Sequence, residues 1–196
     1  MTGKGKKKKI KRDIIEWTVI ISIGVILYLT GLHTQVIGAI QGLILKTGIL
    51  KPETDHVIDQ ADYGFKLADQ KGNILHGSTL KGQVLFINLW ATWCPPCIAE
   101  MPDINRLYSE MKQEDSIKFI MITLDVDFSK AIRFIDKKGF DFDIYQFASP
   151  IPDVYSSQVI PTTFVVSPDG NIVVRKEGMA KYNSKSFKNF LRSMLQ

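Results

Sequence analysis

Residues 84–97 read VLFINLWATWCPPC, and this stretch gives the strongest indication of the fold. Its first half, Val84–Trp90, is a nearly unbroken apolar run of the kind found in strands that are buried on both faces of a sheet. Its second half holds Cys94 and Cys97, the two cysteines of the chain, immediately before a segment with helical periodicity. A strand that delivers such a pair to a helix start predicts redox chemistry, because the unpaired N–H groups and the helix dipole there stabilise a thiolate.

The charge of the 196-residue chain is concentrated at one end. The formal net charge is +5, but residues 1–12 carry seven lysines and arginines and no acidic residue, so the remainder sums to −2. A mildly acidic body lacks the basic surface that nucleic-acid binding requires. We therefore expect no nucleic-acid partner.

An apolar run, residues 14–32, follows the basic tail of residues 1–13 and contains Glu16 as its only charge. As a helix it would rise roughly 28 Å, close to the hydrocarbon thickness of a bilayer. We predict an uncleaved transmembrane anchor rather than a cleaved signal peptide, because the run exceeds a usual signal-peptide core and no small-x-small cleavage site follows it. The positive-inside rule then keeps the tail in the cytoplasm and puts the rest outside the cytoplasmic membrane, on the periplasmic side.

The rest of the chain divides into residues 33–62 and residues 63–196. In the first part, apolar residues at helical spacing over 36–50 predict an amphipathic helix, too short for a second span, which a polar linker follows. In the second part, strand and helix patterns alternate, with helices predicted over 95–112, 128–138 and 184–195. This order predicts an α/β domain with a central mixed sheet and helices on both faces.

The motif at residues 90–97, followed by Pro102 five residues beyond the second cysteine, resembles the thioredoxin active site. Residues 159–166 and the turn at 168–170 resemble the proline strand and hairpin of that family. The long spacing between the two motifs, and the predicted anchor, resemble the exported TlpA/ResA-like branch. The resemblance covers residues 63–196 and implies a thioredoxin-like three-layer fold, a central mixed sheet flanked by helices, preceded by the N-terminal transmembrane helix.

The resemblance also implies a mechanism. Cys94 would be the exposed attacking sulfur and Cys97 the buried resolving thiol. Thioredoxin has a buried aspartate six residues before its first cysteine, where this chain has Asn88, which does not titrate. In the TlpA/ResA-like branch a glutamate three residues after the second cysteine takes a role, and Glu100 occupies that position. Glu100 is therefore the third expected catalytic residue, as a proton acceptor and donor.

The substrate-contacting residues are expected around the two cysteines. The family pattern implies a cis bond between Ile160 and Pro161 that faces the disulfide and orients the substrate backbone. Pro95 and Pro96, between the cysteines, and Trp93, beside them, complete the expected substrate-binding set. Of the two tryptophans near the motif, Trp93 is expected to be the more exposed, and the other to be a packing residue.

No metal or organic cofactor is expected beyond the redox-active Cys94–Cys97 pair. Zinc usually needs four ligands, and the chain offers two cysteines and three histidines that are distant in sequence. A peroxidase of the same fold would normally carry Thr or Ser three residues before its cysteine, where this chain has Ala91. This departure makes a peroxidase the weaker hypothesis, but it remains an alternative. A thiol oxidase on the same fold and a redox-inactive tethered binding module are the other two alternatives.

The function that the resemblance implies is that of a membrane-anchored, extracytoplasmic thiol-disulfide oxidoreductase. Its expected substrates are disulfides of exported proteins, such as apocytochrome c. Outside the cytoplasm disulfides persist, so a reductant there needs a continuing supply of electrons. The expected donor is a thiol protein of the same membrane.

Overall fold

The computed structural model of the protein describes residues 3–30 and 57–195. Helix α1 (Gly3–Leu29) begins in the basic tail, and its described apolar side chains, such as Trp17, are exposed. Within the described ranges, no helix combines the length and the apolar character that crossing a membrane requires. The transmembrane helix predicted over 14–32 is therefore not found among the described residues. Residues 31–32, and the amphipathic helix predicted over 36–50, lie outside the described residues.

From residue 57 onward the described chain forms an eight-stranded mixed sheet with three α-helices and two 3-10 helices. The strands are β1 (Asp59–Gln60), β2 (Lys66–Asp69), β3 (Ile74–His76), β4 (Val84–Trp90), β5 (Ile117–Thr123), β6 (Ile144–Phe147), β7 (Thr162–Val166) and β8 (Asn171–Glu177). The helices are α2 (Pro95–Met111), α3 (Phe128–Lys138) and α4 (Lys185–Ser193), with 3-10 turns at Gly77–Leu80 and Asp153–Tyr155.

The spatial order of the strands is β1-β8-β7-β4-β5-β6-β2-β3. Strands β4, β5 and β6 run parallel, and β7 lies antiparallel on the other side of β4. The carboxyl ends of β4 and β5 therefore meet at one edge of the sheet, where α2 begins. Strand β1, which lies in the segment predicted as a linker, pairs with β8 through Asp59 and Gln60 and is itself an edge strand of the sheet.

Alternating residues of β4 contribute to two cores. The set with Phe86 and Trp90 packs against α2, α3 and α4, whereas the set with Leu85 and Ile87 packs against residues such as Tyr155. The three helices thus share one face, and the two 3-10 helices contribute to the core on the other. The expectation of helices on both faces is therefore wrong for the α-helices, since only 3-10 helices lie on the second face. Since parallel crossovers are nearly always right-handed, two in succession in the same direction put both connecting helices on the same side.

Helix α2 carries the cysteine pair, and its sequence explains where it begins. Pro95 and Pro96 occupy its first turn, where backbone N–H groups have no partner within the helix. Cys94 is the N-cap residue, and its Sγ accepts a hydrogen bond from the N–H of Cys97 at 3.3 Å. The helix continues through Pro102 to Met111, and Met101, Ile104, Leu107 and Met111 are among the residues that it buries.

Candidate active site

A disulfide joins Cys94 and Cys97 at the start of α2, with their Cα atoms 5.3 Å apart. Cys97 is fully buried, and Cys94 is only 4% exposed. The expectation of an exposed Cys94 is therefore wrong, because Cys94 is buried, but the expected order holds, since Cys94 is more accessible than Cys97. Its Sγ lies 3.6 Å from the carbonyl oxygen of Ile160, so the loop before β7 lies against the sulfur.

That loop contains the cis bond between Ile160 and Pro161 that the family pattern predicts. Ile160 is half-buried, whereas Pro161 is buried, so Ile160 offers the more accessible side chain of the pair. The carbonyl oxygen of Pro161 accepts a hydrogen bond from the N–H of Gly178 at 2.8 Å. The proline loop is thereby tied to residues 178–183, the segment that follows β8.

Glu100 lies fully buried on the face of α2 that packs against the sheet. Its Oε1 accepts from Nδ2 of Asn88 at 2.9 Å, and its Oε2 accepts from the N–H of Ala180 at 3.1 Å. Burial raises the pKa of Glu100 to about 8, although these two hydrogen bonds lower it, and the charge of Asp103 raises it further. Glu100 can therefore hold or release a proton near neutral pH.

Asn88 connects Glu100 to the strand that follows Pro161. Its Nδ2 donates a second hydrogen bond to Oγ1 of Thr163 on β7, at 2.8 Å. Its Oδ1 is buried and has no hydrogen-bond partner among residues 57–195. Asn88 and Thr163 are both fully buried, so this connection is shielded from solvent.

A second carboxylate, Asp103, lies one turn further along α2 and also holds the segment after β8. Its Oδ2 accepts from the N–H groups of Tyr182 and Asn183, each at 2.8 Å. Its Oδ1 pairs with the guanidinium of Arg106 at 3.0 Å. Burial, followed by the charge of Glu100, raises the pKa of Tyr182 well above its usual value.

Asp125, just after β5, fixes the loop that leads to Cys94. Its carboxylate accepts from the N–H of Thr92 at 2.9 Å, from the Thr92 hydroxyl at 2.7 Å and from the Thr123 hydroxyl at 2.7 Å. These bonds join the ends of β4 and β5, because the two parallel strands finish side by side. They hold the residues immediately before Trp93 and Cys94 in place.

The expected substrate-binding residues surround the disulfide, with different exposure. Trp93 is 60% exposed, Pro95 and Pro96 are half-buried, and Trp90 is fully buried. The difference between the two tryptophans is the one predicted from the sequence. Trp90 packs against Phe134 of α3, with ring centroids 5.9 Å apart.

Residues 58–175 match the AhpC/TSA family, over more than half of the chain. The chain belongs to the AhpC/TSA family. A relative from Halalkalibacterium halodurans, named thiol-disulfide oxidoreductase ResA, is 32% identical over 130 residues, which are 65% of this chain and 73% of that protein. The enzyme is accordingly a thiol-disulfide oxidoreductase of the thioredoxin-like AhpC/TSA group, with Cys94–Cys97 as its CxxC pair.

Solved structures show the same fold. The thiol:disulfide interchange protein of the thioredoxin family from Chlorobium tepidum superposes with a TM-score of 0.56 at 22% identity, covering 71% of this chain and 99% of that one. StoA from Bacillus subtilis superposes with a TM-score of 0.52 at 24% identity, covering 64% of this chain and 94% of that one. These likenesses show that the described domain has the thioredoxin-like fold.

Sequence reasoning placed Asn88 in this AhpC/TSA site only as a buried polar residue, and it missed Asp103, Asp125 and Thr163. Asp125 could have been found, because it follows a strand parallel to β4 and the carboxyl ends of such strands meet. Thr163 is opposite Asn88 in the β4–β7 pairing, so the register alone brings them together. Asp103 depends on the path of the segment after β8, which no local pattern predicts.

Proposed function

We propose that this oxidoreductase reduces disulfides of exported proteins from a position outside the cytoplasm, attached to the membrane by its N-terminal segment. The observation that carries the proposal is the arrangement around Cys94. Its sulfur lies at a helix start, beside the half-buried Ile160 and the exposed Trp93, while the buried Glu100 lies one turn beyond Cys97. An attacking thiol, a resolving thiol and a proton-handling carboxyl are thus assembled within one short stretch of chain.

The reaction begins with the reduced pair. The Cys94 thiolate attacks one sulfur of the client disulfide, forming a mixed disulfide and releasing the first client thiolate. Cys97 then loses its proton and attacks Cys94 Sγ, which breaks the mixed disulfide, releases the second client thiolate and forms the Cys94–Cys97 disulfide. Two electrons pass from the pair to the client, and a membrane thiol protein would restore them.

Glu100 is the proposed acceptor of the Cys97 proton. Its pKa of about 8 lies close to that of an ordinary thiol, about 8.5, so transfer between the two groups costs little in either direction. A carboxyl with an ordinary pKa would be a much weaker base. The depth of Glu100 in the core is therefore what fits it to this role.

Trp93, Pro95, Pro96, Ile160 and Pro161 are the proposed client contacts. All five are uncharged, and the three residues of the motif, together with Ile160, keep part of their surface open to solvent. An uncharged contact surface of this kind suits an unfolded or extended protein segment around a disulfide. Exported proteins with paired cysteines are the proposed clients, and the TlpA/ResA-like resemblance makes apocytochrome c the first candidate.

The proline pair supports a reducing direction. Pro95 and Pro96 have no N–H and cannot donate a hydrogen bond to Cys94 Sγ. The first backbone donor of α2 that can reach this sulfur is the N–H of Cys97. Fewer donors stabilise the Cys94 thiolate less, and a less stabilised reduced form makes the pair a stronger reductant. An oxidase would require the opposite.

Two measurements on the full chain test the direction and the clients. We expect a Cys94–Cys97 reduction potential near about −270 mV, and a value near about −120 mV would instead identify an oxidase. A Cys97→Ser protein should retain clients as mixed disulfides on Cys94, because no resolving thiol remains. Cys94→Ser is the matched control, and equal recovery of clients on both variants would overturn the mechanism.

Membrane attachment rests on the seven basic residues of the tail and on the exposed apolar side chains of α1. We expect the full chain to sediment with membranes. In intact cells treated with a reductant, we expect Cys94 to react with a membrane-impermeant thiol reagent. An Ile20→Glu, Ile23→Glu double variant should lose the membrane fraction, whereas Ile74→Glu, on β3, should not. Labelling only after cell lysis would place the domain in the cytoplasm and contradict the proposal.

A further inference from the structure

The buried amide of Asn88 has one feature that the proposed exchange reaction does not use. Both of its hydrogen bonds leave from Nδ2, to Glu100 Oε1 at 2.9 Å and to Thr163 Oγ1 at 2.8 Å. The other polar atom, Oδ1, is buried without a hydrogen-bond partner in the described domain. Leaving a buried acceptor unpaired is costly, so such an atom calls for an explanation.

The neighbours of Glu100 determine which of its oxygens can carry a proton. Oε2 accepts from the N–H of Ala180, a backbone donor that cannot reverse its direction. Oε2 must therefore remain an acceptor in both protonation states, and a proton on the neutral acid belongs on Oε1. Oε1 faces Asn88, so protonation would set the new O–H against the N–H of Asn88, donor against donor.

A half-turn of the Asn88 amide removes this conflict. It would bring Oδ1 to the position now held by Nδ2, where it accepts from the protonated Oε1. Thr163 tolerates either orientation, because its hydroxyl accepts from Nδ2 in one and donates to Oδ1 in the other. Each orientation leaves one buried end of the amide without a partner, so the two are balanced in that respect.

We propose that Asn88 is a positioning residue whose side-chain amide turns over when Glu100 gains or loses a proton, donating to the carboxylate and accepting from the acid. Asn88 thereby supports both protonation states of Glu100 during exchange, which a fixed donor would not do. The proposal rests on the role of Glu100 in the proposed function. The other titratable groups around Glu100 are Asp103 on α2 and Tyr182 after β8, and the cysteines, joined here in a disulfide, titrate only in the reduced protein.

The direct test is an NMR titration of the oxidised full chain, following the Asn88 side-chain NH2 resonances and the Glu100 carboxyl carbon from pH 5 to pH 10. We expect both to shift with one midpoint, and we expect the Asn88 resonances of Glu100→Gln to become independent of pH. Asn88 resonances that stay constant while Glu100 titrates would overturn the inference. This measurement needs no catalytic turnover, so it is separate from the proposed function: that proposal fails if Glu100→Gln leaves the pH–rate profile unchanged.

An Asn88→Leu variant gives a second test, in which the pH–rate profile of exchange reports the midpoint of Glu100. Without the Nδ2 donor the carboxylate form loses support, so the Glu100 midpoint should move up by about one pH unit or more. Thr162→Val is the matched control, because Thr162 is equally buried and adjacent to Thr163, but its hydroxyl bonds to the carbonyl of Val159 instead. A midpoint that moves equally in both variants, or in neither, would contradict the role of Asn88.

Discussion

Glu100 and Asp103 lie three residues apart on α2, are both buried, and both accept hydrogen bonds from the segment after β8. They differ in their partners. Asp103 has two backbone N–H groups and the guanidinium of Arg106, whereas Glu100 has one backbone N–H and one neutral amide, and no cation from the described residues 57–195. We therefore expect different roles for the two carboxyl groups, with Asp103, which pairs with a cation, stabilising the fold and Glu100 exchanging a proton.

The largest expected effect is a difference between Glu100 and Asp103 variants in the rate of thiol-disulfide exchange. Glu100→Gln should slow thiol-disulfide exchange by about 10²-fold or more, because general acid–base assistance is worth at least that much. It should also flatten the pH–rate profile near pH 8, where Glu100 titrates. Stopped-flow exchange with a peptide disulfide measures both. If Asp103→Asn slowed the reaction by the same factor with the same profile, the division of roles would be wrong.

The pH dependence of stability should come from Glu100. The unfolded chain ionises this group near pH 4.5 and the folded protein near 8, so between these values the folded state holds a proton that the unfolded state has released. Its stability contribution is complete below pH 4.5 and is lost as pH rises through about 8. Urea denaturation of the oxidised protein should show this decline, and Glu100→Gln should lack it. A decline of equal size in both proteins would point to other groups.

Asp103→Asn should lower the free energy of unfolding by about 2 kcal/mol. The neutral amide puts an N–H against either the backbone donors of residues 182–183 or the Arg106 guanidinium, and no orientation satisfies both. Exchange rate per folded molecule should change little. Urea denaturation beside the same kinetic assay makes the comparison, and an unchanged stability would show that Asp103 does not hold the segment.

The smallest effect belongs to Arg106. Its side chain is 58% exposed, so its ion pair with Asp103 is screened by water. We expect Arg106→Gln to cost less than about 1 kcal/mol in unfolding free energy. A larger loss would mean that the cation, rather than the two backbone donors, is what holds Asp103.

The sequence predicts the structure best where the determining interactions join residues that are close together in the chain. Strand β4 and helix α3 have the bounds that the patterns predict, because apolar runs, Gly139 at positive φ and an N-cap aspartate act within a few residues. The cysteine pair and Pro161 were identified from motifs. The two hydrogen-bond partners of Glu100 were not, since Asn88 comes from β4, beside Thr163 of β7, and Ala180 comes from the segment after β8. Only the pairing of β4 with β7 and the path after β8 bring them together.

The unequal exposure of the tryptophans has a spectroscopic consequence. Trp93 is next to Cys94 and largely open to water, while Trp90 lies in an apolar environment against Phe134. The emission of Trp93 should therefore be redder than that of Trp90, and sensitive to quenching by the neighbouring disulfide and to a bound client. Trp17 is also exposed, so a Trp17→Phe background isolates this signal. The protein thus carries its own optical reporter of redox state, placed where the client must arrive.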